Sequence, residues 1–239
     1  MSSDFDERID GISSLAEPQR RALYRFVVAH GGAVGKDEAA EALGLARSVA
    51  GFHLDRLVAD GLLTTEFRRL TGRQGPGAGR PAKLYRRAAG ELSLSLPPRH
   101  YDLAAELLAT AVNQSITAGT PVSDDLRRVA SERGREFGYQ ARHAAGKQPS
   151  RRALIKSAMT ALEEQGYEPR SSSGEVVLEN CPFHALADQQ RDLVCGMNHD
   201  LLSGMTEVVG DDLLAARLEP SDGACCVRLH ADGPVAKGR

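Results

Sequence analysis

Apolar residues recur at helical spacing in three segments near the N-terminus, and a glycine follows each segment. The pattern predicts helices over Glu17–His30, Lys36–Leu43 and Ala46–Asp60. Glycine readily adopts the left-handed conformation of a helix C-cap, so the three glycines mark where these helices end. A helix, a short helix, a tight glycine turn and a longer helix follow the order of a helix-turn-helix. Residues 1–13 are polar and are predicted to be frayed. The residues expected on the buried side of the third helix are Val49, Phe52 (or Leu54), Leu57 and Val58.

Two β-strands are predicted after these helices, over Leu62–Phe67 and Ala82–Arg87. Between them, Arg69–Pro81 is too rich in glycine and proline to pack as a regular element. The three segments together predict a hairpin with a long tip, which is the wing of a winged helix.

The rest of the chain is predicted to be mainly helical, with a small antiparallel sheet. Amphipathic helices are expected over Arg99–Thr117, Asp124–Ala145 and Arg151–Gly166, and residues 182–209 are expected to be helical. Strands are expected over Glu175–Leu178, Leu213–Leu218 and Ala224–Leu229, the last two joined by a turn at Ser221-Asp222-Gly223. The predicted fold is therefore α+β: a winged helix-turn-helix domain over residues 14–90, a linker over 91–98, and a dimerisation and cysteine-containing sensor domain over 99–235.

Charge is distributed unevenly between the two predicted domains. Residues 14–90 contain 13 Lys and Arg against 7 Asp and Glu, whereas residues 91–239 contain 16 against 21. A basic module joined to an acidic one is typical of a protein whose first domain meets nucleic-acid phosphates. No apolar run is long enough to span a bilayer, and the acidic N-terminus is unlike a signal peptide. We therefore expect a cytoplasmic protein without a membrane partner.

In a helix-turn-helix, the N-terminal residues of the second helix reach the base edges in the major groove. On the third predicted helix, the polar or small residues of the unburied face are Arg47, Ser48, Gly51, His53 and Arg56. Arginine is the commonest reader of guanine, and small residues let a helix enter the groove deeply. The wing region adds three basic residues for phosphate or minor-groove contacts, namely Arg73, Arg80 and Lys83. These eight residues are the predicted contacts to a double-stranded DNA operator.

All four cysteines lie in the last quarter of the chain. In a cytoplasmic protein, clustered cysteines more often bind metal or sense redox state than form disulfides. Cys181 precedes Pro182 and is predicted to be a helix N-cap, where the helix dipole would lower the pKa of the thiol. In one unbroken helix Cys195 would lie about 20 Å away from it. A shared site therefore requires a helix break near Gln190, with Asp192 as the cap of the new helix.

Neighbouring residues of a strand point to opposite faces, so Cys225 is expected to face the core and Cys226 to face outward. Two metal chemistries then fit the residues. Three thiolates, from Cys181, Cys195 and Cys225, suit an iron–sulfur cluster with an open or non-cysteine fourth position. Alternatively, a Cys2His2 set for tetrahedral zinc is available in Cys181, His184, Cys195 and His199. The third interpretation is that the cysteines simply pack as small buried apolar residues.

Two stretches of the chain resemble known regulators. SVAGFHLDRLVADGLL and the following GAGRPAKLYR resemble the winged-helix regulators of the ArsR-like superfamily over roughly residues 15–90. CPFHALADQQRDLVCGMNHDLLSGM, followed by SDGACCVRL, resembles the C-terminal sensor of SufR-type regulators, which repress iron–sulfur assembly operons. The resemblance implies a DNA-binding repressor with a cluster on Cys181, Cys195 and Cys225. In this chain the first cysteine interval is one residue longer, the cysteine often found just upstream is missing, and Cys226 is added.

The residues and the resemblance together predict a homodimeric DNA-binding transcriptional regulator whose operator binding depends on an iron–sulfur cluster. The helix over Arg99–Thr117 is the expected dimer contact. The alternative is a winged-helix regulator with a structural or sensory zinc site that responds to another ligand or to thiol oxidation. An enzyme is not expected, because the sequence contains no glycine-rich phosphate loop, nucleophile elbow or HExxH motif. Secondary candidates for metal ligands are His184, His199 and Cys226.

Overall fold

The computed structural model describes residues 3–69, 81–172, 174–221 and 223–231. It separates into two compact units, Met1–Leu94 and Ser95–Arg239, which we call the N-terminal and the C-terminal unit. The boundary lies inside the segment 91–98 that is predicted as a linker. Helices and two small antiparallel sheets make the described residues an α+β structure. Among these residues, no helix combines the length and the apolar character needed to cross a membrane.

The described part of the N-terminal unit contains helices and a three-stranded antiparallel sheet of order β1-β3-β2. Its elements are α1 (Ser3–Ser14), α2 (Pro18–His30), β1 (Val34–Gly35), α3 (Lys36–Leu43), α4 (Arg47–Ala59), β2 (Leu63–Arg68) and β3 (Ala82–Arg87). The carboxylate of Glu17 caps the start of α2 by accepting the backbone N–H of Arg20 over 2.5 Å. Gly31 and Gly44 end α2 and α3 with φ angles of 70° and 64°, which confirms the glycine C-caps expected there.

The core of the N-terminal unit lies between α2, α4 and the sheet. Leu23 of α2, Leu54 and Leu57 of α4 and Tyr85 of β3 are buried in it. The phenolic hydroxyl of Tyr85 donates a hydrogen bond of 2.7 Å to Oδ1 of Asp55, so its polar atom is satisfied at the edge of the core. This packing determines which face of α4 points outward.

The prediction of a frayed N-terminus is wrong, because α1 forms a helix. A Cβ atom on Gly11 would lie 3.3 Å from the carbonyl oxygen of Asp60, so α1 approaches the end of α4 closely through a glycine. Ser14 is buried, and its hydroxyl accepts a hydrogen bond of 3.0 Å from Arg20. A contact that involves glycine and serine contributes little to an apolar stripe, so hydrophobic periodicity could not reveal it.

The described part of the C-terminal unit consists of helices and a four-stranded antiparallel sheet of order β4-β5-β7-β6. Its helices are α5 (Tyr101–Ala118), α6 (Val122–Ala145), α7 (Arg151–Glu164), α8 (His184–Gln189) and α9 (Arg191–Val209). Its strands are β4 (Pro169–Ser172), β5 (Glu175–Leu178), β6 (Ala215–Leu218) and β7 (Val227–His230). The antiparallel pairing predicted for the last two strands is confirmed. Strand β4 is missed by the sequence analysis, because the residues PRSS carry none of the β-branched or aromatic side chains that indicate a strand.

Glycines bring α6 and α9 into backbone contact. A Cβ atom on Gly134 of α6 would lie 1.8 Å from the carbonyl oxygen of Leu201, and one on Gly204 of α9 would lie 2.1 Å from that of Ser131. Both distances are far shorter than any real contact of a Cβ atom. The two helices can therefore lie this close only because Gly134 and Gly204 have no side chain. The long helix that carries one of the four cysteines is thereby fixed against the longest helix of the unit.

Candidate metal centre and nucleic-acid interface

The four cysteines come from three separate segments of the C-terminal unit, and all four are buried free thiols. Cys181 lies in the loop between β5 and α8, Cys195 lies in the second turn of α9, and Cys225 and Cys226 directly precede β7. The helix break predicted near Gln190 is confirmed, since α8 ends at Gln189 and α9 begins at Arg191. The break turns the chain so that the first two cysteines can approach one another.

Two details predicted for these helix ends are wrong. Phe183, rather than Cys181, is the N-cap of α8, and Gln190, rather than Asp192, is the N-cap of α9. Residues 182 and 183 form a turn before α8 begins, so the thiol of Cys181 does not lie at the positive end of a helix. Its pKa is raised, not lowered, because it hydrogen-bonds to the Cys225 thiol and is buried.

The thiols form a chain of direct interactions that links all four cysteines. Cys181 interacts with Cys225, Cys225 with Cys226, and Cys226 with Cys195. The hydrogen bond of Cys225 with Cys181 lowers the pKa of the Cys225 thiol. Its hydrogen bond with Cys226 and its burial act in the opposite direction and are together stronger, so the pKa is raised to about 12. Burial raises the pKa of Cys195, although its hydrogen bond with Cys226 acts in the opposite direction. Without a metal, Cys181 and Cys225 are therefore protonated near neutral pH.

We expect this protonation to be measurable as slow alkylation. At pH 8, iodoacetamide should modify Cys181 and Cys225 of the metal-free protein at least about tenfold more slowly than in the urea-unfolded chain, because only the thiolate attacks. Peptide mass spectrometry of a time course gives the rate at each cysteine. Equal rates in the native and unfolded protein would contradict the raised pKa values.

The placement predicted for Cys226 is also wrong. Both Cys225 and Cys226 precede β7, so the alternation of a strand does not apply to them. Cys226 is buried, and it faces a cavity instead of the solvent. Cys225 is 1% exposed, and its sulfur accepts a hydrogen bond of 3.1 Å from Nδ2 of Asn198. The second cysteine of the pair is thus the one that a ligand in the cavity would meet.

The cavity has a volume of about 390 Å³ and lies within the C-terminal unit. The thiols of Cys181, Cys195 and Cys226 and the imidazole of His184 line it, together with two arginines, Arg99 and Arg191. His199 is not among the lining residues; its Nδ1 lies 3.6 Å from a carboxylate oxygen of Asp200. The predicted Cys2His2 set for zinc is therefore not gathered around this cavity.

Two polar side chains that line the cavity, Asn180 and Arg99, hold its wall in place. Asn180 is buried, donates hydrogen bonds to the carbonyl oxygens of Pro98 and Gly166, and accepts one from the guanidinium of Arg99. Arg99 also donates to the carbonyl oxygen of Cys181 over 2.9 Å. These contacts fix the loop of Cys181 through charge-assisted hydrogen bonds.

Asn198 and Tyr167 form a second support that the sequence analysis missed. Asn198 is fully buried on α9, where it accepts a hydrogen bond from the hydroxyl of Tyr167 and donates the one to Cys225. Burial raises the pKa of Tyr167 well above its ordinary value, and the nearby thiols raise it further. The available signal was an asparagine three residues after Cys195 in an otherwise apolar helical pattern, since a buried asparagine requires hydrogen-bond partners.

The spacing of the cysteines bears on which group could occupy the cavity. A single tetrahedral zinc ion with bonds of 2.3 Å holds its sulfur ligands about 3.8 Å apart. Within the described residues, one group of three potential ligands has all its ligand atoms within 4.8 Å of one another, and it contains no cysteine. That group is Glu175, Glu219 and His230 on the sheet, where Glu175 is already paired with Arg228 at 3.3 Å. In the metal-free structure, no three of the described thiols therefore lie as close together as the sulfur ligands of a single zinc ion.

In the N-terminal unit, the outward face of α4 carries several of the predicted DNA contacts. Arg47 and Ser48 are exposed at the start of the helix, and Gly51 is half-buried one turn later. The guanidinium of Arg47 lies 2.5 Å from the carboxylate of Asp37. Arg56 is also exposed, and it pairs with Asp60 at 3.0 Å. The pair of Arg47 is exposed on both sides and contributes little free energy, whereas the Asp60 carboxylate that Arg56 contacts is only 6% exposed.

On α4 the structure contradicts the prediction for His53 and decides between Phe52 and Leu54. His53 is directed inward: its side chain is 11% exposed and its Nδ1 lies 3.7 Å from the carboxylate of Glu17, so it is not available to read bases. Of the two residues offered for the buried side, Leu54 fills the core position, which confirms that alternative, and Phe52 is 67% exposed. Phe52 is thus a large apolar side chain exposed in the middle of α4.

Lys83 lies on β3 with its ammonium 2.6 Å from Oδ1 of Asp55. Burial raises the pKa of Asp55, but the hydrogen bonds from Lys83 and Tyr85 outweigh it, so this pKa lies below its ordinary value. Asp55 therefore keeps its negative charge and neutralises the lysine. The other two predicted wing contacts, Arg73 and Arg80, lie outside the described residues.

Comparison of the chain with known protein families, with curated proteins and with solved structures found no match. The two units offer different surfaces. One exposes a helix with arginine, serine and phenylalanine on its outward face, and the other contains a cavity lined by three thiols and a histidine.

Proposed function

We propose that this protein is a cytoplasmic transcriptional regulator, acting as a repressor, whose operator binding is controlled by an iron–sulfur cluster. The observation that carries the proposal is the cavity of the C-terminal unit, where thiols from three separate segments meet. Thiolates from distant parts of a chain are the ligands that such clusters use. A regulator, rather than an enzyme, agrees with the basic N-terminal segment and its outward-facing helix.

The DNA-binding part of the proposal rests on the order of elements in the N-terminal unit. Helices α3 and α4 are joined by the short turn Gly44–Ala46, and the antiparallel pair β2 and β3 follows α4. This succession fits a winged helix-turn-helix in which α4 enters the major groove. Residues 14–90 also carry an excess of six positive charges, which favours attraction to DNA phosphates.

The preference for a cluster over a single zinc ion rests on the size of the cavity and on the spread of the thiols. The cluster would supply a redox- and oxygen-sensitive group that binds the three thiol-bearing segments at once. Cys181 would hold the loop before α8, Cys195 would hold α9, and the segment before β7 would be tied to both. Loss of the shared group would leave these segments joined by weaker contacts, among them the backbone hydrogen bond of 2.8 Å from the N–H of Cys225 to the carbonyl oxygen of Leu178. Such a ligand-dependent two-state element is what coupling to DNA affinity requires.

Anaerobic purification followed by iron, sulfide and zinc analysis and visible absorption tests the cofactor. Selection of binding sites from a random DNA library, with the loaded and the metal-free protein in parallel, tests the regulator. We expect a brown protein that bleaches in air and that enriches one DNA sequence in only one of its two states. A colourless protein with one zinc per chain would favour the alternative regulator with a zinc site, and the absence of any enriched DNA would overturn both.

We predict that Phe52 contacts the methyl group of a thymine. Apolar side chains that reach the major groove contact this methyl group, and its burial is worth about 0.8 kcal/mol, or about fourfold in affinity. Replacement of the contacted thymine by uracil should therefore weaken binding about fourfold in the natural protein. The same replacement should have no effect on Phe52→Ala, and fluorescence anisotropy measures both. An equal loss in both proteins would exclude Phe52 as the reader.

We also propose a homodimer that forms through α5. Tyr101, Val112 and Ile116 are 39%, 43% and 78% exposed on this helix, and their spacing places them near one face. In a twofold dimer one substitution removes two contacts. Ile116→Glu is therefore expected to raise the dimer dissociation constant at least about tenfold in sedimentation equilibrium, whereas Thr117→Glu on the neighbouring exposed face should not. Equal effects of the two substitutions would argue against this surface.

A further inference from the structure

We propose that the metal group is held by Cys181, His184, Cys195 and Cys226, with the imidazole of His184 as the fourth ligand. The inference rests on the proposed function, because it assigns the ligands of the same site. It replaces Cys225, which the sequence and the resemblance favour, and it fills the open fourth position with a nitrogen ligand. The observation behind it is that these four side chains all line the same cavity.

Cys226 is preferred to Cys225 because of where each side chain lies. Cys226 lines the cavity and interacts directly with Cys195, which lines it too. Cys225 is 1% exposed and is not among the lining residues. Its sulfur already accepts a hydrogen bond from buried Asn198. Cys225 is therefore a supporting thiol behind the site, and Cys226 supplies the third thiolate.

His184 is attached to the same turn of chain as the first thiolate. Its backbone N–H donates a hydrogen bond of 3.1 Å to the carbonyl oxygen of Cys181. On its ring, Nε2 lies 3.4 Å from the carboxylate of Asp188, which also lines the cavity. A carboxylate on one ring nitrogen is the common device that orients a metal-binding histidine and leaves its other nitrogen free to bind. Here the free atom is Nδ1.

The other candidate ligands of the cavity are less suitable. Glu179 lines it, but its carboxylate lies 2.5 Å from Nε of Arg170. Carboxylates are also poorer partners than sulfur and imidazole for iron–sulfur clusters and for zinc. Arg99 and Arg191 line the cavity as cations, so they would offset the negative charge of the three thiolates. A neutral imidazole adds no further charge, and it raises the reduction potential of a cluster relative to four thiolates.

The test uses the full-length chain, loaded anaerobically with iron and sulfide, after labelling with 15N-histidine. Pulsed EPR of the paramagnetic cluster should show one strongly coupled nitrogen, whose signal changes from 14N to 15N with the label. This measurement uses the unmutated protein and so does not depend on whether a variant folds. If the protein instead binds zinc, X-ray absorption should show three sulfurs and one nitrogen.

Two matched pairs of variants assign the ligands. C226S and H184A should each lower the metal content at least about threefold, whereas C225S and H199A should retain it. H184C should restore the metal content, abolish the nitrogen coupling and move the reduction potential to a lower value. Full metal content in C226S together with loss in C225S would overturn the assignment, as would a cluster without a coupled nitrogen. A natural protein that takes up neither iron nor zinc overturns the proposed metallosite itself, and the assignment with it.

Discussion

Gly134→Ala should destabilise the C-terminal unit by about 3 kcal/mol or more, because the added methyl group has no space. Its Cβ would lie 1.8 Å from the carbonyl oxygen of Leu201 and 2.8 Å from the carbonyl carbon. Both atoms belong to the backbone of α9, so no side-chain rotation can relieve the overlap. Overpacking in a well-packed core costs typically 1–3 kcal/mol and sometimes more, and a clash between two helix backbones belongs at the upper end. The helices must separate, which also moves the segment that bears Cys195.

Gly196→Ala is the matched control on α9. No atom lies within 4 Å of the position that its Cβ would occupy, and alanine favours a helix over glycine by roughly 0.5–1 kcal/mol. This variant should therefore be as stable as the natural protein or slightly more stable. Hydrogen exchange followed by mass spectrometry reports the opening free energy of α9 in each full-length variant. A Gly134→Ala protein with natural exchange rates in α9 would show that the two helices do not pack as described.

The elements that the sequence predicts well are those with strong local signals. Helices α2 and α3 end at glycines as predicted, although the C-cap of α4 is Asp60 and not Gly61. A glycine C-cap depends only on the backbone angles of one residue. The break near Gln190 follows from a geometric requirement, since two cysteines in one straight helix could not share a site. Local chemistry and simple geometry suffice in both cases, so no knowledge of the tertiary structure was needed.

The errors arise where tertiary packing decides. Phe52 and Leu54 both fit an apolar stripe, and only the packing of α2 and the sheet shows that Leu54 is the buried one. His53 is polar and fits the predicted DNA-contacting face of α4 in the sequence. In the structure its imidazole instead lies beside Glu17, at the start of α2. In the same way, α1 approaches the end of α4 at Gly11, because glycine has no side chain that would keep the two helices apart. Hydrophobic periodicity indicates which residues are apolar, but it does not show which other element packs against them.

The candidate site shows the same division. The sequence identifies Cys181 and Cys195 as partners, but the assignment of Cys226 to the outside assumes that β7 begins before it. The strand begins one residue later, so the alternation rule does not apply to the cysteine pair. The observed start at Val227 lies three residues after the predicted start at Ala224. A sequence pattern does not locate the end of an element to that accuracy, and here the difference decides which thiol lines the cavity.

Asn198→Asp should produce a loss of stability that grows with pH. Protonated, the new carboxyl can replace the amide: one oxygen accepts the hydrogen bond from Tyr167, and the O–H donates to the sulfur of Cys225. Ionised, it keeps no donor for the sulfur and carries a charge at a fully buried position. Burial therefore raises the folded-state pKa of this aspartate above its unfolded value of about 3.9.

The sign of the pH effect follows from that raised pKa. Below about pH 3.9 the aspartate is protonated in both states, so the mutation costs little there. Above it the unfolded chain ionises first, and stability falls by about 1.4 kcal/mol per pH unit until the folded pKa is reached. A shift of three units gives about 4 kcal/mol by pH 7. The matched control is Asn113→Asp at an exposed position of α5, which should show almost no pH-dependent change. Hydrogen exchange of α9 in the metal-free protein at pH 5 and pH 7 measures the difference, and an Asn198→Asp protein as stable at pH 7 as at pH 5 would contradict a buried, hydrogen-bonded Asn198.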